Sequence, residues 1–261
     1  MVNQGKGGIL VVSVDLEPSI DQRTNFDARH VSSIGKQILG MLARYNVPAT
    51  WSLFDPGRSK APRAILSGIV DHEIAVAGDQ SWVGEEAGRT HFARELSRRV
   101  SGARSAGLPA STITLRNAEL RENHDLLVKH DISMIRPGKV ARNNHARDLK
   151  PCPVRYGVWQ LPAHLQFPGR RHWLPGGTVA SARKAIQRAV AAKQVLHLSV
   201  NVPQLAKAGH SGVQALDWLL REAYVKRQHG VLQIATLGEV ADSLKAPRQP
   251  AHSRSILRRV A

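Results

Sequence analysis

Hydrophobic and polar positions along this chain fall into blocks that predict strands followed by helices. The first apolar run, Ile9 to Val14, is continuous and rich in β-branched residues, and apolar residues then recur at helical spacing from Ile34 to Tyr45. The same succession continues to the end of the chain. Further strands are predicted at 48–53, 73–76, 112–115, 132–135, 157–161, 195–200 and 231–235. Helices are predicted at 62–69, 86–105, 119–130, 179–193, 212–228 and 237–244.

Regular alternation of strands and helices predicts a parallel sheet with crossover helices. Seven or eight such strands favour a closed or nearly closed (β/α) barrel, which we expect to form one domain over residues 1–245. Residues 246–261 contain four arginines and no acidic residue, so a mobile basic tail is predicted there.

Composition narrows the class of protein. Lysine and arginine total 37 against 20 acidic residues, giving a net charge of +17 that favours anionic partners. Aromatic residues are only 5%, however, and no nucleic-acid-binding motif is present, so specific nucleic-acid binding is not expected. With Cys152 as the one cysteine, no intrachain disulfide can form. No apolar run is long enough for a signal peptide or a membrane span, and a cytoplasmic location is predicted.

The chemistry is expected at the carboxyl ends of the strands, where parallel α/β folds bind their ligands. Asp15 and Glu17 follow the first strand, and two such carboxylates in one cavity could raise one pKa toward general-base use. The alternative is that they cap a loop or helix. Other strand-end candidates are Asp79, Trp82, Arg116 and Asn201.

Each of these candidates also has a structural explanation. Arg116 could clamp a carboxylate or hold Asp15, or it could be one more surface arginine. Trp82 could stack on a sugar face or lie in the interior. His72 and His197 lie in or beside apolar strands, and we interpret both as hydrogen-bonded core residues.

The order of short motifs along nearly the whole chain resembles the polysaccharide deacetylase family, also called NodB-homology or carbohydrate esterase family 4. Its members have a distorted (β/α) barrel, the same architecture that the periodicity predicts. The segments that carry the resemblance are Val12–Pro18, Ile38–Trp51, His72–Ile74, Leu115–Asn123, Trp159–Pro162, Leu196–Pro203 and Gly230–Asp242.

The resemblance implies a hydrolase that removes acetyl groups from sugars, with Asp15 as the base and Glu17 as the acid that binds a divalent metal, usually zinc. The family's two metal-binding histidines fall on Ala77 and Ser81, and its histidine general acid falls on Asn201. Neither alanine nor serine replaces imidazole on zinc, and an amide does not transfer a proton near neutral pH. No bound metal is therefore expected.

Three functions remain open from the sequence. The chain could be a deacetylase-like hydrolase of altered mechanism, with Asp15, Arg116 and Asn201 at the catalytic positions and Asp79 helping Glu17 to recruit a metal. It could be a non-catalytic relative that binds a glycan or a partner protein, with Trp82 and Asp79 contacting the ligand. It could also be a basic protein that binds polyanions. Carbohydrate or an acetylated small molecule is the expected ligand, and no membrane partner is expected.

Overall fold

A computed structural model describes residues 7–18, 27–138, 150–168 and 177–245 of the protein. The strands in chain order are β1 Gly8–Asp15, β2 Thr50–Leu53, β3 Glu73–Asp79, β4 Thr112–Arg116, β5 Met134–Arg136, β6 Cys152–Pro153, β7 Trp159–Gln160, β8 Leu165–Phe167, β9 Val195–Asn201 and β10 Leu232–Ala235. The helices are α1 Ala28–Arg44, α2 Ala61–Leu66, α3 Gln80–Val83, α4 Gly88–Ser105, α5 His124–Lys129, α6 Gly177–Ala192, α7 Val202–Gln228 and α8 Leu237–Lys245.

The strands form one curled sheet of ten strands, nine of them in the order β6-β7-β5-β4-β3-β2-β1-β9-β8 and the tenth, β10, paired with β1. Among the described strands, β6 alone runs antiparallel to its neighbour. The first half of β1 pairs with β10 and its second half with β2, so two strands share one side of β1. Within the described part of the chain no ladder joins β8 to β6, which leaves the barrel incompletely closed. This is the predicted distorted (β/α) barrel.

Two short strands were not predicted from the sequence. β6 and β8 have only two and three residues and are mostly exposed or half-buried, so they lack the apolar run that indicates a strand. The Trp159 strand is also shorter than predicted, at two residues.

Two helices begin earlier than predicted because polar side chains cap them, whereas α5 begins five residues later than predicted. Asp27 accepts hydrogen bonds from the backbone amides of Arg29 and His30, so α1 begins at Ala28, six residues before the predicted start at Ile34. The Asn201 side chain caps α7 in the same way, and that helix begins ten residues before the predicted start at Gly212. Gly209 interrupts α7 with a φ of 69°.

The core lies between the outer face of the sheet and the helices, where Trp51, Leu96, Ile113 and Leu127 are fully buried. On the inner face, small and polar side chains such as Ser13, Ser52, Thr114 and Ser199 are buried toward the carboxyl end. A second apolar cluster, which includes Ile9, Val11 and Met134, is buried toward the amino end. No described helix has the length and apolar character needed to cross a membrane. The predicted basic tail, 246–261, lies outside the described residues.

Candidate functional site

The carboxyl ends of five parallel strands bring the predicted site residues to one edge of the barrel. Asp15, Asp79, Arg116 and Asn201 are the last residues of β1, β3, β4 and β9. Arg136, which ends β5, was not among the predicted residues. Residues that end parallel strands come together because all parallel strands finish at the same edge of the sheet; we call this the strand-end rule.

Asp15 lies at the centre of this edge and is bound by two arginines. Its Oδ1 atom is 2.7 Å from Nη2 of Arg136 and 3.3 Å from Nη2 of Arg116. All three residues are buried. Burial acts to raise the pKa of Asp15, but the two guanidinium groups outweigh it and lower that pKa from 3.8 to about 2. Asp15 is therefore a carboxylate of low basicity.

A chain of hydrogen bonds fixes Arg136 from below. Its Nη1 atom donates to the hydroxyls of Ser13, at 3.0 Å, and Ser199, at 3.2 Å. His197 lies behind Ser13, with Nε2 2.9 Å from the Ser13 Oγ and Nδ1 3.3 Å from the Leu161 carbonyl. Because a carbonyl only accepts, Nδ1 carries the proton and Nε2 accepts from the Ser13 hydroxyl.

His197 is the hydrogen-bonded core residue that the sequence predicted. Complete burial, together with the nearby Arg136 charge, lowers the pKa of His197 from 6.5 to about 3. The imidazole stays neutral at ordinary pH, which lets it serve as an acceptor in this network.

Arg116 links the two acids that follow the first strand. Its Nη1 atom donates to the backbone carbonyl of Glu17, and its guanidinium carbon lies 5.0 Å from the centre of the Phe54 ring. Burial, the largest effect, lowers the pKa of Arg116 while Asp15 acts to raise it. Arg116 is thus a fixed cation that holds Asp15, as one of its two sequence interpretations has it.

The Glu17 side chain binds the backbone of a neighbouring strand end. Its Oε2 atom accepts a hydrogen bond of 2.9 Å from the backbone amide of Phe54 and so ties the loop after β1 to the end of β2. This is the loop-capping role that the sequence left open for the pair.

Asp79 and Asn201 also act as caps. The Asp79 carboxylate accepts from the amide and the hydroxyl of Ser81 at the start of α3. Asn201 accepts from the Gln204 amide at 2.9 Å. In each case one side-chain oxygen caps the helix that follows. Both residues lie at the strand ends that form the site edge.

Trp82 requires a correction to its predicted role in sugar stacking. It is 1% exposed and stacks on Phe92 with ring centres 5.7 Å apart, while the Arg99 guanidinium lies 4.9 Å from its ring centre. Both faces of the indole are thus covered, so Trp82 is the interior tryptophan of the two alternatives.

A groove of about 520 Å³ crosses the edge where β3, β4 and β5 end. Its polar lining residues are Gln80, Glu86, Asn117, Glu119 and Arg121. Asn117 directly follows Arg116, and Gly138, which also lines the groove, lies two residues after Arg136. The groove therefore lies at the edge where the strands that carry Arg116 and Arg136 end, although neither arginine is among its lining residues.

The donor set that the family resemblance requires for a metal is not assembled here. Among the residues that the structure describes, no three histidine, cysteine or acidic side chains come together in a metal-binding group. Ala77 is buried within β3, and the Ser81 hydroxyl is bound to Asp79. Asp15 and Glu17 are already bound to Arg136 and the Phe54 amide. These donors do not fit a zinc ion.

The functional residues that the sequence reasoning missed are Arg136 and the serines beneath it. Arg136 follows the predicted strand 132–135 directly, so the strand-end rule that selected Arg116 also selects it. Ser13 and Ser199 lie two residues before Asp15 and Asn201, on the same face of their strands.

Comparison with known proteins identifies the fold. No protein-family model matches the sequence, and no curated protein matches it. A solved structure from Mycobacterium smegmatis, provisionally assigned as a polysaccharide deacetylase, aligns with a TM-score of 0.68 at 16% identity, over 94% of this chain and 93% of that one. A family 4 acetyl xylan esterase from Clostridium thermocellum, solved with a cobalt ion, aligns with a TM-score of 0.50 at 15% identity, over 92% and 93% of the two chains.

The fold is not restricted to deacetylases. A 4-α-glucanotransferase from Thermococcus litoralis aligns with a TM-score of 0.62 at 12% identity, over 93% of this chain and 41% of the enzyme. The chain thus has the deacetylase-type barrel, and at these identities the likeness extends to the fold alone.

Proposed function

We propose that this protein binds carbohydrate in the groove at the carboxyl edge of its barrel and does not carry out metal-dependent deacetylation. The observation that carries the proposal is the ion pairing of Asp15 with Arg116 and Arg136. A general base works best with a pKa near the working pH, and the pKa of Asp15 is lowered to about 2.

Support for the absence of hydrolysis comes from the donors around Asp15. A catalytic zinc site uses three protein ligands and keeps a fourth position for water, whose pKa the metal lowers. Here Glu17 and Ser81 are engaged in capping bonds, and Ala77 offers no donor.

Support for carbohydrate as the ligand comes from the groove and from the fold. Amide and carboxylate side chains such as Gln80, Asn117 and Glu119 are the groups that hydrogen-bond sugar hydroxyls. The three solved structures named above are a provisionally assigned polysaccharide deacetylase, an acetyl xylan esterase and a 4-α-glucanotransferase. All three proteins are named for carbohydrate substrates.

The test combines metal analysis, acetate release and binding on the purified full chain. The probes are N-acetylated chitotetraose, acetylated xylotetraose and tetragalacturonic acid, each with and without added zinc or cobalt. We expect at least one probe to bind, no stoichiometric metal, and no acetate released above the rate in buffer.

A groove variant locates the binding. Replacing the exposed Gln80 by alanine removes a hydrogen-bonding group from the groove, and we expect affinity to fall by about two- to tenfold. The matched control is Gln187→Ala, an exposed glutamine on α6. Stoichiometric metal with acetate release would show that the protein is a hydrolase, and failure of all three probes to bind would refute the binding function.

A further inference from the structure

A second groove, of about 610 Å³, lies between α1 and α7, two helices that pack against each other. We call it the helix groove. Its lining includes Gln37, Gly40 and Arg44 of α1 and Gln214, Trp218 and Arg221 of α7. All six residues are exposed, so a ligand in the helix groove can reach them. The helix groove shares no lining residue with the groove at the carboxyl edge and is a separate place on the surface.

Gly40 leaves a gap in the wall that α1 contributes. It lies in the middle of that helix, and a Cβ atom there would meet no packing neighbour within 4 Å. Glycine is disfavoured in a helix interior relative to alanine, and Gly40 has no positive φ that would require glycine. Neither packing nor backbone conformation therefore explains this residue. A ligand that approaches the α1 backbone closely would explain it.

Trp218 stands in the wall that α7 contributes and is 38% exposed. Its indole is held by a contact from α6, where the guanidinium carbon of Arg183 lies 5.8 Å from the ring centre. Arg183 in turn lies 3.8 Å from the carboxylate of Glu222. The indole offers a flat apolar surface on which another ring can stack. An exposed tryptophan next to open helix backbone and to amide and guanidinium groups is a composition typical of ligand sites.

The charges in the helix groove favour an anion. Arg44 Nη1 donates to Asp217 Oδ1 at 3.2 Å, and Asp217 Oδ2 accepts from the Tyr45 hydroxyl at 3.2 Å. Asp217, the acidic residue of the lining, thus has both oxygens engaged. Arg221 forms no ion pair with any acidic side chain in the part of the chain that the structure describes. This exposed cation matches a ligand that carries one negative charge here.

The size of the helix groove favours a small ligand. Its lining runs over 37–44 on α1 and 213–221 on α7, which is about 10–12 Å at 1.5 Å per residue. A stable protein partner contacts about 20–30 residues on each side, more than the nine described residues of this lining. A nucleoside triphosphate carries more negative charge than one arginine balances. A sugar ring with a carboxylate has both a face for Trp218 and a single charge for Arg221.

We infer that the helix groove is a second binding site, for an acidic saccharide whose ring stacks on Trp218 beside Gly40 and whose carboxylate pairs with Arg221. The inference adds a site to the one at the carboxyl edge. It rests on the proposed function for the expectation that the ligand is a carbohydrate.

The experiment titrates the purified full chain by calorimetry with tetragalacturonic acid and with its carboxyl-reduced counterpart. We expect Gly40→Leu to weaken binding of both tetramers to the helix groove about tenfold or more, because the new side chain fills the space above α1. The midpoint of urea unfolding should stay or rise, since leucine is favoured over glycine in a helix. The control Ser32→Leu adds the same side chain at an exposed position of α1 outside the groove and should leave binding unchanged.

Two further variants test the charge and the ring separately. We expect wild type to prefer the acidic tetramer about two- to tenfold at low salt and less at physiological salt, and Arg221→Gln to remove that preference. The control is Arg188→Gln, an exposed arginine of α6 that lines neither groove. Trp218→Ala should weaken binding of both tetramers about five- to fiftyfold. In the wild-type protein the indole N–H resonance of Trp218 should shift with either tetramer.

The outcomes separate this inference from the proposed function. The helix groove is refuted as a saccharide site if Gly40→Leu has no more effect than Ser32→Leu, or if the Trp218 resonance does not move. Tetramer binding that Gln80→Ala weakens would then still support the groove at the carboxyl edge. If Gly40→Leu abolishes all saccharide binding and Gln80→Ala has no effect, the helix groove stands and the proposed site fails. A Trp218 shift with ATP and with neither tetramer would refute the saccharide in favour of a nucleotide.

Discussion

Each end of the barrel holds a desolvated carboxylate, and the two carboxylates are stabilised by different kinds of partner. At the carboxyl end, Asp15 is bound by the cations Arg116 and Arg136. At the amino end, Glu73 accepts from uncharged donors, namely the hydroxyls of Thr50 and Thr112 and the backbone amide of Gly238. No lysine or arginine in the described ranges forms an ion pair with Glu73.

The difference in partners reverses the effect on acidity. The arginines outweigh desolvation and lower the pKa of Asp15 to about 2. Desolvation is the dominant effect on Glu73, and its hydrogen bonds offset it only in part, so the pKa of that carboxyl is raised. The carboxylate at the end that bears the groove therefore has charged partners, whereas the carboxylate at the other end has only uncharged donors.

The amino-end network has a structural role that follows from its partners. The Thr50 hydroxyl accepts from the Leu237 amide at 2.9 Å, and Glu73 accepts from the Gly238 amide at 2.9 Å. These are the first amides of α8, which lack partners within the helix. Glu73 and Thr50 thus attach the last helix to the sheet at the point where β10 and β2 share one side of β1.

Of the substitutions that compare the two ends, Asp15→Asn is expected to lower the free energy of unfolding the most. The substitution leaves two buried guanidinium groups without their counter-charge, which costs about 3–5 kcal/mol in the free energy of unfolding. Urea unfolding at pH 7 measures it. The control is Asp242→Asn on α8, where the carboxylate is 75% exposed and its pair with Lys245 contributes little. A loss below about 1 kcal/mol for Asp15→Asn would show that the arginines do not depend on this carboxylate.

The second prediction concerns how the stability that Asp15 contributes changes at acid pH. Because the folded-state pKa of Asp15 is depressed from 3.8 to about 2, its stabilising effect is present above pH 4 and is lost as the pH falls toward 2. The difference corresponds to about 2 kcal/mol. The stability gap between wild type and Asp15→Asn should narrow by that amount between pH 5 and pH 2. A gap that stays constant over this range would contradict the low pKa.

How much of this could be predicted from sequence differs between the fold and the site. The sheet was predictable because β1, β4 and β9 are buried along their length and so carry continuous apolar or β-branched runs. The site edge was predictable because it depends only on where strands end.

The partners within the site were not predictable in the same way. Asp15 and Arg136 are 121 residues apart in the chain, and their contact depends on how the sheet curls to bring β1 and β5 together. The capping roles of Asp79 and Glu17 likewise depend on the paths of the loops after the strands. A carboxylate at a strand end looks the same in sequence whether it binds a cation, an amide or a metal.

The smallest effect is expected at the amino end, for Glu73→Gln. A glutamine keeps a carbonyl oxygen for Thr50 and Gly238, and the Thr112 hydroxyl can rotate to accept from the new amide group. We therefore expect a change within about 1 kcal/mol at pH 7, measured by urea unfolding. Because the folded-state pKa of Glu73 is raised, the wild type loses stability relative to the variant as the pH rises from the unfolded value of 4.5 through the folded one. The exposed Glu122→Gln should show no such trend. A loss of several kcal/mol at Glu73→Gln, comparable to that at Asp15→Asn, would mean that the amino end also depends on charge and that the contrast between the two ends is wrong.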